Sequence, residues 1–184
     1  MRTMLAIARA RRKRPDTMPA DSTATPAPCP LWRRLLALVY DLLIVVAIVM
    51  VVGLLCQLAT GGKLITTGAK TVIPLWYQCL QGLVVAAYFI SSWRRGGQTV
   101  GMRPWRIRVT RDDGGTVTLQ QAVIRLLVAG APMVLLLLAP AFGLRTTLWT
   151  LLVVWAGWFA VALFDRRRRA VHDFAAGTEV RRLD

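Results

Sequence analysis

The sequence contains few of the side chains on which enzyme active sites depend. It has nine acidic residues, one histidine and three cysteines, against 24 lysines and arginines. Its serines are Ser22, Ser91 and Ser92, so no Ser-His-Asp arrangement is indicated around His172, and no pair of carboxylates completes a site. The isolated cysteines lack the spacing of metal ligands. We therefore expect no enzyme activity, no cofactor and no metal site.

The chain is unusually rich in apolar residues. Hydrophobic residues make up 55% of the 184 residues and the mean hydropathy is +0.50, too high for an ordinary soluble domain of this size. A helix that spans a bilayer needs about 20 largely apolar residues. Four segments approach or reach that length, at about 35–58, 72–92, 119–142 and 146–164. The sequence thus predicts an all-α, polytopic membrane protein with four transmembrane helices.

The basic residues are distributed unevenly between the loops. Twenty of the 24 lie in residues 1–34, 93–118 and 165–184, whereas the alternate loops carry three. This positive-inside pattern predicts that both termini and the central loop face the cytoplasm of a bacterial inner membrane. A surface rich in arginine also favours contact with anionic lipid. Because topology accounts for the net charge of +15, the composition does not favour nucleic acid as a partner.

The chain divides into three parts. Residues 1–30 are predicted to be a disordered, basic cytoplasmic arm, since the segment 15–30 is rich in Pro, Ala, Thr and Asp. The first twenty residues have a basic run but no apolar core, so we expect insertion through the first helix rather than a cleavable signal peptide. Met18 is an alternative start of translation. Residues 31–180 form the predicted membrane domain, and residues 181–184 form a tail.

The loop between the second and third predicted helices has the pattern of β-structure. Trp105, Ile107 and Val109 alternate with basic residues, which is the period of a strand with one apolar face. The run Asp112-Asp113-Gly114-Gly115 is typical of a tight turn, and the alternation resumes over 116–119. The pattern predicts a small cytoplasmic β-hairpin whose apolar side rests on the helix ends.

Asp41 is the most informative single residue, because it lies about two turns inside the first predicted helix. A carboxylate at this depth is costly to bury and usually has a charged or hydrogen-bonding partner or a functional role. Arg34 and Arg33 precede it by seven and eight residues on nearly the same helix face, and Arg125 lies in the cytoplasmic third of the third helix. Three interpretations stay open: a buried ion pair with one of these arginines, a proton- or cation-binding carboxylate, or a contact with lipid or a partner.

The end of the fourth predicted helix carries a second concentration of charge. Four arginines follow Asp165, and His172 and Asp173 come shortly after them. Arginines in a row at a cytoplasmic helix end are typical of a topology anchor. With two arginines of the central loop they form a basic surface that we expect to face lipid or a protein partner. Its members are Arg106, Arg108, Arg166, Arg167, Arg168 and Arg169.

Three stretches resemble the RDD family of small bacterial membrane proteins, which is named for a characteristic arginine and two aspartates. The resemblance assigns the arginine to Arg34, or alternatively Arg33, and the aspartates to Asp41 and Asp173. The chain departs from some members of the family in having a fourth helix, and from many in having Met102 where they have a lysine. With Arg125, the stretches that carry the likeness span nearly the whole chain. They are Arg33-Arg34-Leu35-Leu36-Ala37-Leu38-Val39-Tyr40-Asp41, then Gly97-Gln98-Thr99-Val100-Gly101-Met102 with Trp105-Arg106-Ile107-Arg108-Val109, and Arg166 to Asp173 with Ala176-Gly177-Thr178.

The resemblance implies a fold more directly than an activity. A role in transport has been proposed for the family, with cation/proton exchange as one form. Four helices rarely enclose a pathway alone, so transport by this chain implies a homo-oligomer or a larger membrane partner. The alternative is a non-transporting scaffold or assembly factor whose basic face binds anionic lipid or a protein. The residues expected to bind an ion or to form a structural ion pair are Arg33, Arg34, Asp41, Arg125 and Asp173.

Overall fold

A computed structural model of the chain describes residues 29–64 and 73–183. The predicted disordered arm falls almost entirely outside this part of the chain, so that prediction stays a prediction. The described residues form six α-helices, one 3-10 segment and two strands. In chain order these are α1 Leu31–Ala59, α2 Leu75–Gly96, β1 Ile107–Arg111, α3 Leu119–Gly130, the 3-10 segment Ala131–Leu138, α4 Ala139–Phe142, α5 Leu144–Phe164, α6 Val171–Ala176 and β2 Thr178–Arg182.

Three helical stretches of the described chain are long and apolar enough to cross a membrane: α1, the stretch Leu119–Phe142, and α5. Many of their large apolar side chains are exposed, which is the surface that lipid would cover. α2 has 22 residues but is less apolar, because it carries Gln78, Gln81 and two arginines in its last turn. The prediction of a mostly helical chain with apolar helices of membrane length is therefore confirmed. Three of the four predicted spans correspond to such helical stretches.

The stretch Leu119–Phe142 is divided into three segments. α3 ends at Gly130, the chain then tightens into the 3-10 segment, and α4 resumes the α-helical form. Pro132 and Pro140 lie in the first turns of the second and third segments. Proline has no backbone N–H, and its ring clashes with the carbonyl of the preceding turn, so each proline interrupts the α-helical hydrogen bonds. The stretch keeps the length of a span but not one regular helix.

β1 pairs with β2, from the C-terminal end of the chain, in an antiparallel register that places Val109 opposite Val180. The predicted β-hairpin within the central loop is therefore wrong. Its turn exists, since the N–H of Arg111 donates to the carbonyl of Gly115 at 3.0 Å. The residues after the turn do not form a strand, because Thr118 forms a capping box that begins α3.

The main cluster of buried apolar residues lies around this sheet and the ends of α1, α2 and α3 beside it, a region we call the sheet end. β2 contributes to it with a strand whose last residues, Arg181 and Arg182, were assigned to a tail from the sequence. Pairing of β2 with β1 thus ties the C-terminal segment to the first three helices. The buried apolar cluster of the sheet end consists of Cys29, Ala37, Trp93, Ile107, Val109, Val117, Ala122 and Val180.

Candidate functional site

Asp173, in α6, is fully buried between two arginines. Its Oδ2 lies 3.0 Å from Nη1 of Arg34 in α1, and its Oδ1 forms an ion pair with Arg125 in α3. The two arginine side chains are at most 5% exposed. Charge-assisted contacts of this kind are stronger than neutral hydrogen bonds, and burial shields them from water. One carboxylate therefore joins α6 to both α1 and α3, and we call Arg34, Asp173 and Arg125 the buried ion cluster.

Backbone and hydroxyl groups around β2 and α6 complete the hydrogen bonding of the buried ion cluster. Arg34 donates to the carbonyl of Val180 at 3.2 Å, and Arg125 donates to the hydroxyl of Thr178 at 2.8 Å. The N–H of Ala170 donates to Oδ2 of Asp173 at 2.9 Å. The cluster therefore connects two long helices, a short helix and a strand at one buried point.

His172 lies next to the buried ion cluster and is neutral near pH 7. Its Nε2 is 3.7 Å from Oδ1 of Asp173, and its ring meets the Phe159 ring edge-on, with 5.7 Å between centroids. Burial, with repulsion from Arg125, lowers the pKa of His172 to about 4 despite the attraction of Asp173. Burial by itself would raise the pKa of Asp173, but its charged neighbours, Arg125 foremost, hold that pKa below its ordinary value. The cluster therefore carries two positive charges and one negative charge.

Asp41 is also buried, but its hydrogen-bond donors are all neutral groups. Its Oδ1 accepts from the hydroxyl of Tyr88 at 2.8 Å and from the N–H of Gly101 at 3.0 Å. Its Oδ2 accepts from the hydroxyl of Thr99. Within residues 29–64 and 73–183, no lysine or arginine forms a salt bridge with this carboxylate. The Asp41 carboxylate is thus hydrogen-bonded but lacks a cationic partner in this part of the chain.

The predicted ion pair between Asp41 and an arginine is therefore wrong. Arg34 and Arg125 both contact Asp173 instead, and Arg33 donates to a loop carbonyl at 3.4 Å. The seven residues from Arg34 to Asp41 correspond to a rise of about 10 Å along the helix, and the sheet end offers Arg34 a nearer carboxylate. Of the three interpretations of Asp41, the ion pair is excluded and the other two remain.

The loop 97–102 reaches Asp41 because it contains two glycines. A Cβ atom on Gly101 would lie 2.5 Å from a carbonyl oxygen of α1 and 2.7 Å from the backbone nitrogen of Asp41. At Gly97, φ is +69° and a Cβ atom would lie 2.3 Å from a carbonyl oxygen of β1. Only glycine permits both close approaches. The loop is therefore in close contact with α1 at Gly101 and with β1 at Gly97, and Thr99 is fully buried beside the carboxylate.

Sequence reasoning missed Tyr88 and Thr99 as partners of the Asp41 carboxylate, and it missed Thr178 as a partner of Arg125. Thr99 and Thr178 lie in the glycine-containing stretches that carry the family resemblance. The proximity of these threonines to glycines, with Thr99 between Gly97 and Gly101 and Thr178 after Gly177, was the signal that the sequence offered. No comparable signal marks Tyr88, which is one of several aromatic residues in α2.

A cavity of about 470 Å³ lies between the helices, with both buried carboxylates on its wall. Its volume falls in the range of small-molecule pockets, about 300–1,000 Å³. Aliphatic and aromatic side chains of α1, α2, α3 and α5 form most of its lining. The polar and charged residues on its wall are Arg34, Asp41, Thr99, Arg125, His172 and Asp173.

The predicted basic surface lies around the sheet end, with one exception. The side chain of Arg169 is partly buried, its Nε is 3.1 Å from Asp165, and its guanidinium lies 4.1 Å from the centroid of the Phe174 ring. Arg169 is therefore used within the chain, which corrects its assignment as a lipid- or partner-facing residue. The members that are exposed are Arg106, Arg108, Arg166, Arg167 and Arg168.

Comparison with known proteins identifies one family. The sequence model of the RDD family matches residues 28–177, which include Arg34, Asp41, Arg125 and Asp173. No curated protein and no solved structure matches the chain significantly. The match covers the described helices, the central loop and the buried ion cluster, and confirms the resemblance that the three stretches carry.

Proposed function

Because the chain belongs to the RDD family, whose members are membrane-associated, we propose that it is a multi-pass protein of a bacterial inner membrane that exchanges a cation for a proton. The observation that carries this proposal is the environment of Asp41. It is a buried carboxylate on the wall of a cavity between membrane-length helices, surrounded by neutral donors.

In the proposed topology α2 is a fourth span, with both termini and the central loop in the cytoplasm. The 22 residues of α2 have a length of about 33 Å, which suffices to cross the hydrocarbon core. Its polar residues would face neighbouring helices, as the 3.1 Å bond from Gln81 to the carbonyl of Val49 in α1 illustrates. The distribution of lysine and arginine along the chain supports the orientation.

Asp41 is suited to exchange because no lysine or arginine among the described residues gives its carboxylate a permanent counter-charge. An ionised carboxylate inside a membrane protein is stabilised when a cation or a proton neutralises it. The hydroxyl oxygens of Thr99 and Tyr88 lie within hydrogen-bond distance of the carboxylate, so three side chains supply the oxygen ligands that hard cations prefer. Binding of a cation would then compete with binding of a proton.

The buried ion cluster has a different role in this proposal. Asp173 is already neutralised by two arginines and is held at the sheet end, so it keeps α1, α3 and α6 together while Asp41 exchanges ions. A bundle of four helices encloses little space for a pathway. The exchanging unit would therefore be an oligomer of this chain, or this chain beside a larger membrane partner.

Reconstitution tests the proposal. Purified protein in liposomes that enclose a pH-sensitive dye is given an inward gradient of Na⁺, K⁺ or Li⁺. Wild-type protein is expected to release protons with at least one of these ions, and Asp41→Asn is expected to abolish the signal while it elutes as folded protein. Asp113→Asn, which changes an exposed carboxylate of the central turn, is the matched control and should keep the flux.

A second candidate is a scaffold that holds anionic lipid or a protein partner without transport. The specific observation in its favour is the set of exposed arginines around the sheet end, Arg106, Arg108 and Arg166 to Arg168. If wild-type liposomes carry no cation-driven proton flux, the scaffold is favoured. An added cytoplasmic partner should then sediment together with the protein-bearing liposomes, and substitution of these arginines should reduce the amount that does so.

A further inference from the structure

A small pocket lies where the last turns of α2 meet the loop that follows this helix. Its volume is about 220 Å³, and every residue on its wall is polar, charged or glycine. No acidic residue of the described chain lines it, so two positive charges converge there without a negative one. None of its residues belongs to the basic surface around the sheet end. The lining consists of Ser91, Ser92, Arg95, Gly96, Gln98 and Arg103.

Three side chains of this pocket have donors that are accessible to a ligand. Arg95 and Arg103 are exposed, and within residues 29–64 and 73–183 neither guanidinium forms a salt bridge or a hydrogen bond. The Ser92 hydroxyl has no hydrogen-bond partner in that part of the chain either, and it is not shielded from solvent. By contrast, the hydroxyl of Ser91 and the amide of Gln98 donate to backbone carbonyls, at 3.1 and 2.9 Å. The pocket therefore offers two guanidinium groups and one hydroxyl to an anion.

A phosphate group matches these donors in charge and in geometry. The planar guanidinium presents pairs of N–H groups that fit two phosphate oxygens, and it stays charged at physiological pH. The volume of the pocket is smaller than the range of about 300–1,000 Å³ that is typical of sites for drug-sized molecules. The pocket thus has room for a phosphate-bearing head group but not for a larger ligand.

The face of α2 that leads to the pocket is apolar and exposed, which indicates where the rest of the ligand lies. Leu83, Ala87, Ser91 and Arg95 follow one another at intervals of four residues and so share one face of the helix. Leu83 is 67% exposed, and Ala87 is exposed as well. The helix rises about 18 Å from Leu83 to Arg95, close to the depth of one leaflet. An acyl chain can therefore lie on this face while its phosphate reaches the pocket.

We propose that this pocket binds the phosphate of an anionic phospholipid in the cytoplasmic leaflet, with one acyl chain along the Leu83 face of α2. Arg95 and Arg103 contact the phosphate oxygens, and the Ser92 hydroxyl donates to one of them. The proposal rests on the membrane span and orientation proposed for α2, which reporter fusions test separately, and not on cation exchange. Flux without lipid binding, or lipid binding without flux, separates the two proposals.

Phosphatidylglycerol is the probe, and neighbouring arginines provide matched variants. Delipidated full-length protein in maltoside detergent is titrated with the lipid, and bound lipid is counted by native mass spectrometry. Arg95→Gln and Arg103→Gln each remove one positive charge from the pocket. Arg94→Gln removes the same charge from the same end of α2, but Arg94 is an exposed residue that does not line the pocket.

Saturable binding of phosphatidylglycerol to wild type is the expected result. Its affinity should fall about fivefold in Arg95→Gln and in Arg103→Gln, and by no more than about twofold in Arg94→Gln. Phosphatidylcholine, whose head group has no net charge, and inorganic phosphate, which has no acyl chain, should compete much less well than a second anionic phospholipid.

Equal losses of affinity in Arg94→Gln and Arg95→Gln would indicate a general attraction to positive charge and would overturn the proposal. Competition by phosphatidylcholine as strong as that by an anionic phospholipid would also overturn it. Equally strong competition by inorganic phosphate would mean that the pocket is a site for free phosphate instead of a lipid. The competition pattern on wild type decides the matter if either pocket variant fails to fold.

Discussion

Gly101 lies against Asp41 so closely that a Cβ atom on the glycine would be 2.7 Å from the Asp41 backbone nitrogen. The N–H of Gly101 uses this proximity to donate to the Asp41 carboxylate at 3.0 Å. The loop 97–102 and α1 are thus joined at the one acidic residue that lies well inside a predicted span. Any side chain at position 101 must separate them.

Gly101→Ala is therefore expected to destabilise the fold by about 1–3 kcal/mol, because the new methyl group meets backbone atoms that cannot move aside easily. Gly96→Ala is the matched control, since a Cβ atom there meets nothing within 4 Å, and its effect should stay within about 0.5 kcal/mol. Denaturant unfolding in detergent, followed by tryptophan fluorescence, measures both. Similar midpoints for the two variants would contradict the close contact.

Asp173→Ala is expected to lower the free energy of unfolding by about 3–5 kcal/mol, because it leaves two buried arginines without a counter-charge. Asp165→Ala, which breaks the partly exposed pair with Arg169, should cost no more than about 1 kcal/mol. The comparison requires the amount of folded protein after solubilisation and its unfolding midpoint. A mild effect of Asp173→Ala would mean that the buried ion cluster does not hold the helices together.

A double-mutant cycle tests whether Arg125 forms its ion pair with Asp173 or with Asp41. Asp173→Ala and Arg125→Met should couple strongly, whereas Asp41→Ala and Arg125→Met should be additive within about 0.5 kcal/mol, because these two residues share no partner in the described chain. Coupling of Arg125 to Asp41 rather than to Asp173 would restore the ion pair predicted from the sequence.

His172 should make stability depend on pH between about 6.5 and 4. Its pKa falls from an ordinary value of about 6.5 to about 4 in the folded state, so the unfolded chain binds the proton first. Stability is then fully present above pH 6.5 and decreases as the pH falls, by about 3 kcal/mol at pH 4. His172→Phe keeps an aromatic ring without the titration, and its unfolding midpoint should vary less over this window. Parallel profiles for the two proteins would exclude the effect.

The proposed orientation predicts the location of four reporter fusions. Fusions after Gly62 and Gly143 should be periplasmic, and fusions after Gly114 and Asp184 should be cytoplasmic, because most basic residues lie in the second group of segments. A paired alkaline phosphatase and green fluorescent protein assay reads both sides. A periplasmic signal at Gly114 would overturn the four-span topology.

Much of the fold could be predicted from the sequence, because the relevant properties are local. The length of an apolar run and the position of nearby arginines determine whether a segment suits a membrane and which end anchors it. The turn at 112–115 was likewise evident from its own residues. The prediction of the hairpin was wrong, because the segment that follows the turn leads into the capping box of Thr118 and begins α3 instead of a strand.

The charged residues of the candidate site were also identified from the sequence, but their partners were not. Arg34, Arg125, Asp41 and Asp173 were each recognised as unusual, and the expected pair joined the wrong aspartate. Arg34 and Asp173 are 139 residues apart, and they meet because β2 returns to pair with β1 and carries α6 with it. Helical periodicity predicts that Arg34 and Asp41 lie on one face of α1. The contact between Arg34 and Asp173 could not be predicted in this way, because it depends on the pairing of two strands that are distant in the sequence.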